Sequence, residues 1–142
     1  MLELKLSLGQ GTFHVGEEMG ATVTLVNAGG EPVMVNGRLA LNTAFAPSEY
    51  REVAIVVSDP QGAPVPFEAK VNIGSPAARD FKTLQPAESV QHRYDLAAYY
   101  DLKKPGTYAV QAIYHNQAEP GTGDDGVWKG EIKSAVERLT VV

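Results

Sequence analysis

Leucines alternate with polar residues from the start of the chain. Leu2, Leu4, Leu6 and Leu8 fall on one side of an extended backbone, and Glu3, Lys5 and Ser7 on the other. Period two predicts a half-buried strand. A short extended piece follows over 12–15, with Phe13 and Val15 matched, and after Gly16-Glu17-Glu18 the alternation returns as Ala21, Val23 and Leu25 against Thr22 and Thr24. Residues 27–32 (Asn-Ala-Gly-Gly-Glu-Pro) carry turn chemistry throughout. A strand is predicted over 33–41, with Gly37 inside it as a bulge or close backbone approach. Residues 43–50 read as a crossing loop and 51–58 as a Val/Ile-rich strand, closed by Asp59-Pro60-Gln61-Gly62, which suits a type I turn. Further extended segments are predicted over 67–73, 81–84 and 89–96, then one helical turn at 97–100. Tyr108, Val110, Ala112 and Tyr114 face one way along a strand over 106–116. A polar, glycine-rich stretch over 117–126 precedes Ile132 and the closing apolar strand 139–142.

Short strands broken every eight to fifteen residues, with no helical stripe long enough for a crossover, predict an all-β fold: an antiparallel β-sandwich of seven to nine strands with at most one or two short helical turns. No internal repeat suggests a propeller or solenoid. At 142 residues and 15.2 kDa the chain reads as a single domain, 1–142. A chain of this mass folds to a surface of roughly 7,100 Å², enough burial for a core without staples. Hydrophobic residues at 44% and charged residues at 20% are globular proportions, which argues against a disordered chain.

Composition then removes several chemistries. There is no cysteine, hence no disulfide, thiol nucleophile or thiolate metal site. A formal charge of −5 offers nothing to phosphate backbones, so nucleic acid is not an expected partner. No apolar run reaches the ~20 residues needed to span a bilayer, so membrane insertion is not expected. The alternating N-terminus is no signal-peptide core, which fits a cytoplasmic protein or a trimmed secreted domain equally. His14, His92 and His115 show no ligand spacing. Glu119, Asp124 and Asp125 lie among glycines, where calcium could be held, but the EF-hand spacing is absent and solvated acidic loops are much commoner. No Gly-x-Ser-x-Gly elbow frames Ser89 or Ser134, and Glu17, Glu18 and Asp80 show no sign of a shared cleft. No glycine-rich loop opens a helix to cradle phosphate. No catalytic residue, metal ligand or cofactor is therefore expected. Tyr94, Tyr99, Tyr100, Tyr114 and Trp128 are candidates for an exposed aromatic platform or, more commonly, for core. Tyr99 and Tyr100 are adjacent and cannot point the same way, which leaves at least one of them expected at the surface.

The stretch from Tyr94-Asp95-Leu96 through Asp101-Leu102-Lys103-Lys104-Pro105-Gly106-Thr107-Tyr108 resembles the corner between penultimate strands of immunoglobulin-like domains. The resemblance implies an immunoglobulin-like sandwich in which Asp101, Leu102, Gly106 and Tyr108 form a structural corner. The Tyr108 ring would fill the end of the core while its hydroxyl bonds a backbone group upstream. Val110 stands where such domains carry a cysteine. More narrowly, residues 12–41 and 84–108 resemble the accessory domains of deuterolysin-like and peptidyl-lysine zinc endopeptidases, and Val127-Trp128-Lys129-Gly130 to Ser134 resembles the closing strand of several bacterial sandwiches. The His-Glu-x-x-His helix of those peptidases has no counterpart here. The likeness implies a non-catalytic binding or accessory module, working through loops 43–50, 97–105 and 117–128 on a protein or peptide. The small acidic sandwich also resembles intracellular proteinase inhibitors, which implies protease inhibition as the alternative. The strand 2–8, if it lies at a sheet edge, offers a route to homo-oligomers.

Overall fold

Ten strands form three hydrogen-bonded groups in the computed structural model, which describes residues 1–71, 73–120 and 126–142. β1 (Leu2–Leu8) pairs antiparallel with β3 (Gly20–Asn27), and β3 with β7 (Ser89–Asp95), giving one three-stranded layer. In the facing layer, β5 (Val53–Ser58) pairs with the long β8 (Gly106–Asn116). On its other side β8 carries β9 (Gly130–Lys133) and then β10 (Glu137–Val141). The two-residue β2 (Thr12–Phe13) runs parallel to β10. A separate ribbon joins β4 (Val33–Asn36) to β6 (Phe81–Leu84). The all-β, sandwich-like architecture expected from the alternation is what the chain adopts. Its accessible surface, 7482 Å², is close to that expected for its mass.

The strand count exceeds seven to nine. β2 is only two residues long, and the closing edge is split into β9 and β10, where Ser134 Oγ takes the Ala112 amide at 2.9 Å in place of a strand carbonyl. Three 3₁₀ turns, Ser48–Tyr50, Ala78–Asp80 and Leu96–Ala98, replace the one or two expected. The strand expected over 33–41 stops at Asn36: the Gly37 amide makes a last bond in register to the Asp80 carbonyl (2.8 Å), after which the Arg38 amide turns to the Asn36 side chain (3.2 Å) and Leu39 takes a left-handed φ of 55°. Of residues 67–73, expected as a strand, the described ones form no ladder. Pro64 and Pro66 remove donors just before them, and Phe67 is drawn instead into an aromatic cluster. Asn72 lies outside the described residues.

One core fills the space between the layers. Leu4, Leu6, Val23 and Leu25 from the first layer meet Val110, Ala112, Tyr114 and Leu139 from the second. The parity is clear: on β1 Leu2, Leu4 and Leu6 are buried and Leu8 half-buried, while Glu3, Lys5 and Ser7 are exposed. At the 59–62 turn, the Asp59 carboxylate accepts the amides of Gln61 and Ala63, both at 2.9 Å, and Gly62 takes φ 84°, a conformation that suits glycine.

Candidate functional site

β5 lies at the edge of its layer. His115 donates its amide to the Glu52 carbonyl, so the even-numbered residues of this stretch bond β8 and the odd-numbered ones present their amides and carbonyls outward. That outer edge is sealed piecemeal. Val53 bonds Ala40 and Asn42, the Val57 carbonyl accepts the Val65 amide at 2.8 Å, and the Ile55 carbonyl accepts the Tyr100 hydroxyl. Between the covering segments 40–43 and 63–67 runs an apolar groove of about 290 Å³, floored by Ile55, Val57 and Tyr100 and walled by Phe45, Pro64 and Phe67.

Aromatic packing shapes one end of it. Phe67 stacks on Tyr99 (centroids 5.6 Å, planes 13° apart) and meets Tyr100 edge-on (5.6 Å, 75°). Phe67 therefore takes both adjacent tyrosines on different faces. Tyr100 is buried and Tyr99 half-buried, so neither ring is left at the surface as expected. At the other end Phe45 is 95% exposed on the 43–50 loop. Its backbone is braced: the Thr43 hydroxyl accepts the Phe45 amide (3.3 Å), the Thr43 carbonyl accepts the Ala46 amide (3.2 Å), and Arg51 Nη1 donates to the Ala44 carbonyl (3.3 Å). Phe45 also lines the groove, so ring and groove make one exposed apolar feature of the kind that marks interaction sites.

The aromatic platform does not assemble as a surface. Tyr94, Tyr100 and Tyr114 are core residues whose hydroxyls donate to the carbonyls of Leu39, Ile55 and Asn36. Burial pushes all three phenols well above their ordinary range. Trp128 is half-buried against Tyr114 at 5.6 Å. At the corner, Tyr108 is 2% exposed and its hydroxyl donates to the Lys104 carbonyl at 2.6 Å; burial raises its pKa, helped by the charges of Asp101 and Asp59. Leu102 is buried, and the Asp101 carboxylate accepts the Lys103 amide at 3.2 Å. Gly106 has φ 145°, and a Cβ there would lie 2.4 Å from Pro60 Cγ.

The remaining candidates have structural duties. Glu17 accepts the His14 amide (2.7 Å), Glu18 pairs with Arg93, Asp80 accepts the Ala77 amide (2.7 Å), and Glu119 pairs with Lys129. Ser134 Oγ donates onward to the Ala135 carbonyl at 2.8 Å, while Ser89 is an exposed residue at the start of β7. Asp124 and Asp125 lie outside the described residues, and with them the tip of the 117–128 loop. Among the described residues no group of three His, Asp or Glu side chains is placed to hold a metal, and no helix is long and apolar enough to cross a membrane.

Two polar features had no sequence signal. Glu52, 2% exposed, accepts Arg38 Nε (3.1 and 3.0 Å to its two oxygens) and the Ala40 amide (3.0 Å), and Arg38 Nη2 adds a further bond to it. His115 is buried beside Arg51, with Glu131 3.9 Å from Nδ1, and neither ring nitrogen has a partner in good hydrogen-bond geometry. Burial lowers its pKa, the Arg51 charge lowers it further, and Glu131 and the Ser48 main chain oppose the shift. No protein-family model and no curated protein sequence matches this chain.

Proposed function

We propose that this domain is a non-catalytic recognition module that takes an apolar stretch of polypeptide into the groove beside β5. The observation that carries the reading is the pairing of that groove with Phe45, a 95% exposed aromatic on a braced loop. Extended peptides suit such a site, because its floor is an interrupted strand edge and its walls take side chains rather than charge. The resemblance of residues 84–108 to accessory domains of endopeptidases points to the same class of partner. The test is selection from a random peptide library displayed against the full chain, followed by titration of Phe45→Ser and Val56→Lys. Selected peptides are expected to be apolar and to lose at least about tenfold in affinity with each substitution, the scale of a buried anchor residue. Peptide binding that ignores both substitutions, or the absence of any selected binder, would overturn the proposal.

Protease inhibition is the second reading, favoured by Phe45 itself: an aromatic on a braced, exposed loop has the form of a side chain offered to a protease's primary pocket. Inhibition of an aromatic-preferring endopeptidase that disappears in Phe45→Ser while the chain stays uncut would support it. Lack of inhibition at micromolar concentrations removes it.

A further inference from the structure

The opposite edge of the molecule is bare in a different way. β1 bounds its layer, and its ladder with β3 is fixed at both ends: the Met1 carbonyl accepts the Ala28 amide, and the Gly9 amide donates to the Gly20 carbonyl. Odd-numbered residues of β1 therefore bond β3, and the amides and carbonyls of Leu2, Leu4, Leu6 and Leu8 point away from it. None of these eight groups has a partner among the described residues. The strand is slightly more open than its interior neighbour. Leu2, Leu4 and Leu6 keep 6–8% exposure although their side chains face the core, whereas Ala21, Val23 and Leu25 on the neighbouring interior strand keep 0%. The edge of the other layer, β5, is sealed by segments 40–42 and 63–65 and by Tyr100, and β2 is only two residues long. β1 has no proline, no bulge and no inward charge to discourage pairing.

Its charges also select a partner. Even-numbered residues hydrogen-bond outward, so an antiparallel second copy can add in three central registers, with the two-fold axis at Leu4, Lys5 or Leu6. At Lys5 the axis sets Lys5 against its own copy. At Leu6 it pairs Lys5 with Ser7. At Leu4 it places Glu3 opposite Lys5 twice on the exposed face, with Leu2 opposite Leu6 and Leu4 opposite Leu4. Only this last register turns the strand's charges into two attractive cross-strand pairs. We propose that the chain forms a two-fold homodimer by antiparallel β1–β1 pairing centred on Leu4, merging two three-stranded layers into one six-stranded sheet. The partner is a second copy because the edge is complementary to itself; the interface is isologous and closed, which stops the edge from templating longer assemblies. A seven-residue strand pair buries less than a standard interface, so the dimer is a weak, concentration-dependent one.

Sedimentation velocity of the full chain from about 10 µM to 1 mM tests this, with Glu3→Lys, Lys5→Glu and the doubly swapped chain run alongside. These positions are exposed, so thermal melts should show all variants folded. The wild type is expected to shift from monomer to dimer. By symmetry each single swap turns both attractive pairs repulsive and should raise the dimer Kd about tenfold or more, and the double swap should restore it. A chain that stays monomeric throughout, a dimer indifferent to both single swaps, or a double swap that fails to restore association would each overturn the proposal. Assembly beyond the dimer would overturn its closed symmetry.

Discussion

Gly106 offers a sharp test of how the corner is built. An alanine there takes on two separate costs. Its φ of 145° is one an L-residue reaches only with strain, worth roughly 1–3 kcal/mol. Its Cβ would also lie 2.4 Å from Pro60 Cγ, 3.2 Å from Cβ and 3.7 Å from Cδ, an overlap comparable with overpacking a core, again roughly 1–3 kcal/mol. Gly106→Ala should therefore destabilise the fold by about 2–6 kcal/mol. The two parts can be separated. Pro60→Ala removes Cγ and Cδ and leaves only the 3.2 Å contact, so in that background Gly106→Ala should retain the backbone strain and lose most of the steric part. Urea unfolding of wild type, both single variants and the double variant gives the cycle. With a slope of about 2 kcal/mol per molar, the single Gly106→Ala midpoint should fall by about 1–3 M, and the coupling with Pro60→Ala should be at least about 1 kcal/mol. If Gly106→Ala costs the same in both backgrounds, the proline contact is not what holds the corner glycine.

Glu52→Gln keeps the shape but removes the charge from a carboxylate that serves Arg38 and the Ala40 amide, and turns one acceptor into a donor facing one of them. The expected loss is about 2–3 kcal/mol in urea unfolding, and a loss under about 0.5 kcal/mol would contradict the arrangement described. His115 titrates below its ordinary 6.5 in the folded chain, so the unfolded chain binds its proton more readily. Stability from this residue is thus complete above pH 6.5 and lost as the pH falls through 6.5 towards the lower folded value. Wild type should lose stability more steeply than His115→Gln between about pH 7.5 and pH 5, and equal slopes would show that the ring is not burial-shifted.

Period-two alternation was sufficient for β1, β3 and β8, because each has one face on the core and one towards polar surroundings. It misled at 67–73, where the same alternation serves a strap whose Phe67 packs on rings supplied from residues 99 and 100. It also overran β4, since beyond Gly37 the Arg38 amide turns to the Asn36 side chain and the Ala40 amide to Glu52, partners that alternation does not announce. The groove was legible only in its loop, 43–50. Its other walls come from 55–57, 64–67 and Tyr100, and no local pattern announces that these meet. The Glu52–Arg38 pair was hidden for a related reason: a lone glutamate before a valine-rich strand reads as surface until the 38–40 segment folds over it. The open edge of β1 was readable as a possibility, but which atoms it leaves bare depends on the ladder with β3.

The hydroxyls of Tyr94, Tyr100 and Tyr114 each answer a carbonyl of the segments 36–39 and 55, where the regular ladders run out. In a chain with no cysteine, these phenols act as the cross-ties that small sandwiches elsewhere obtain by sulfur chemistry. Because they need neither oxidant nor chaperoned pairing, the architecture is indifferent to the redox state of its surroundings. Its vulnerability lies on the alkaline side instead, where stripping those protons would place negative charge in the interior and convert each tie into a repulsion.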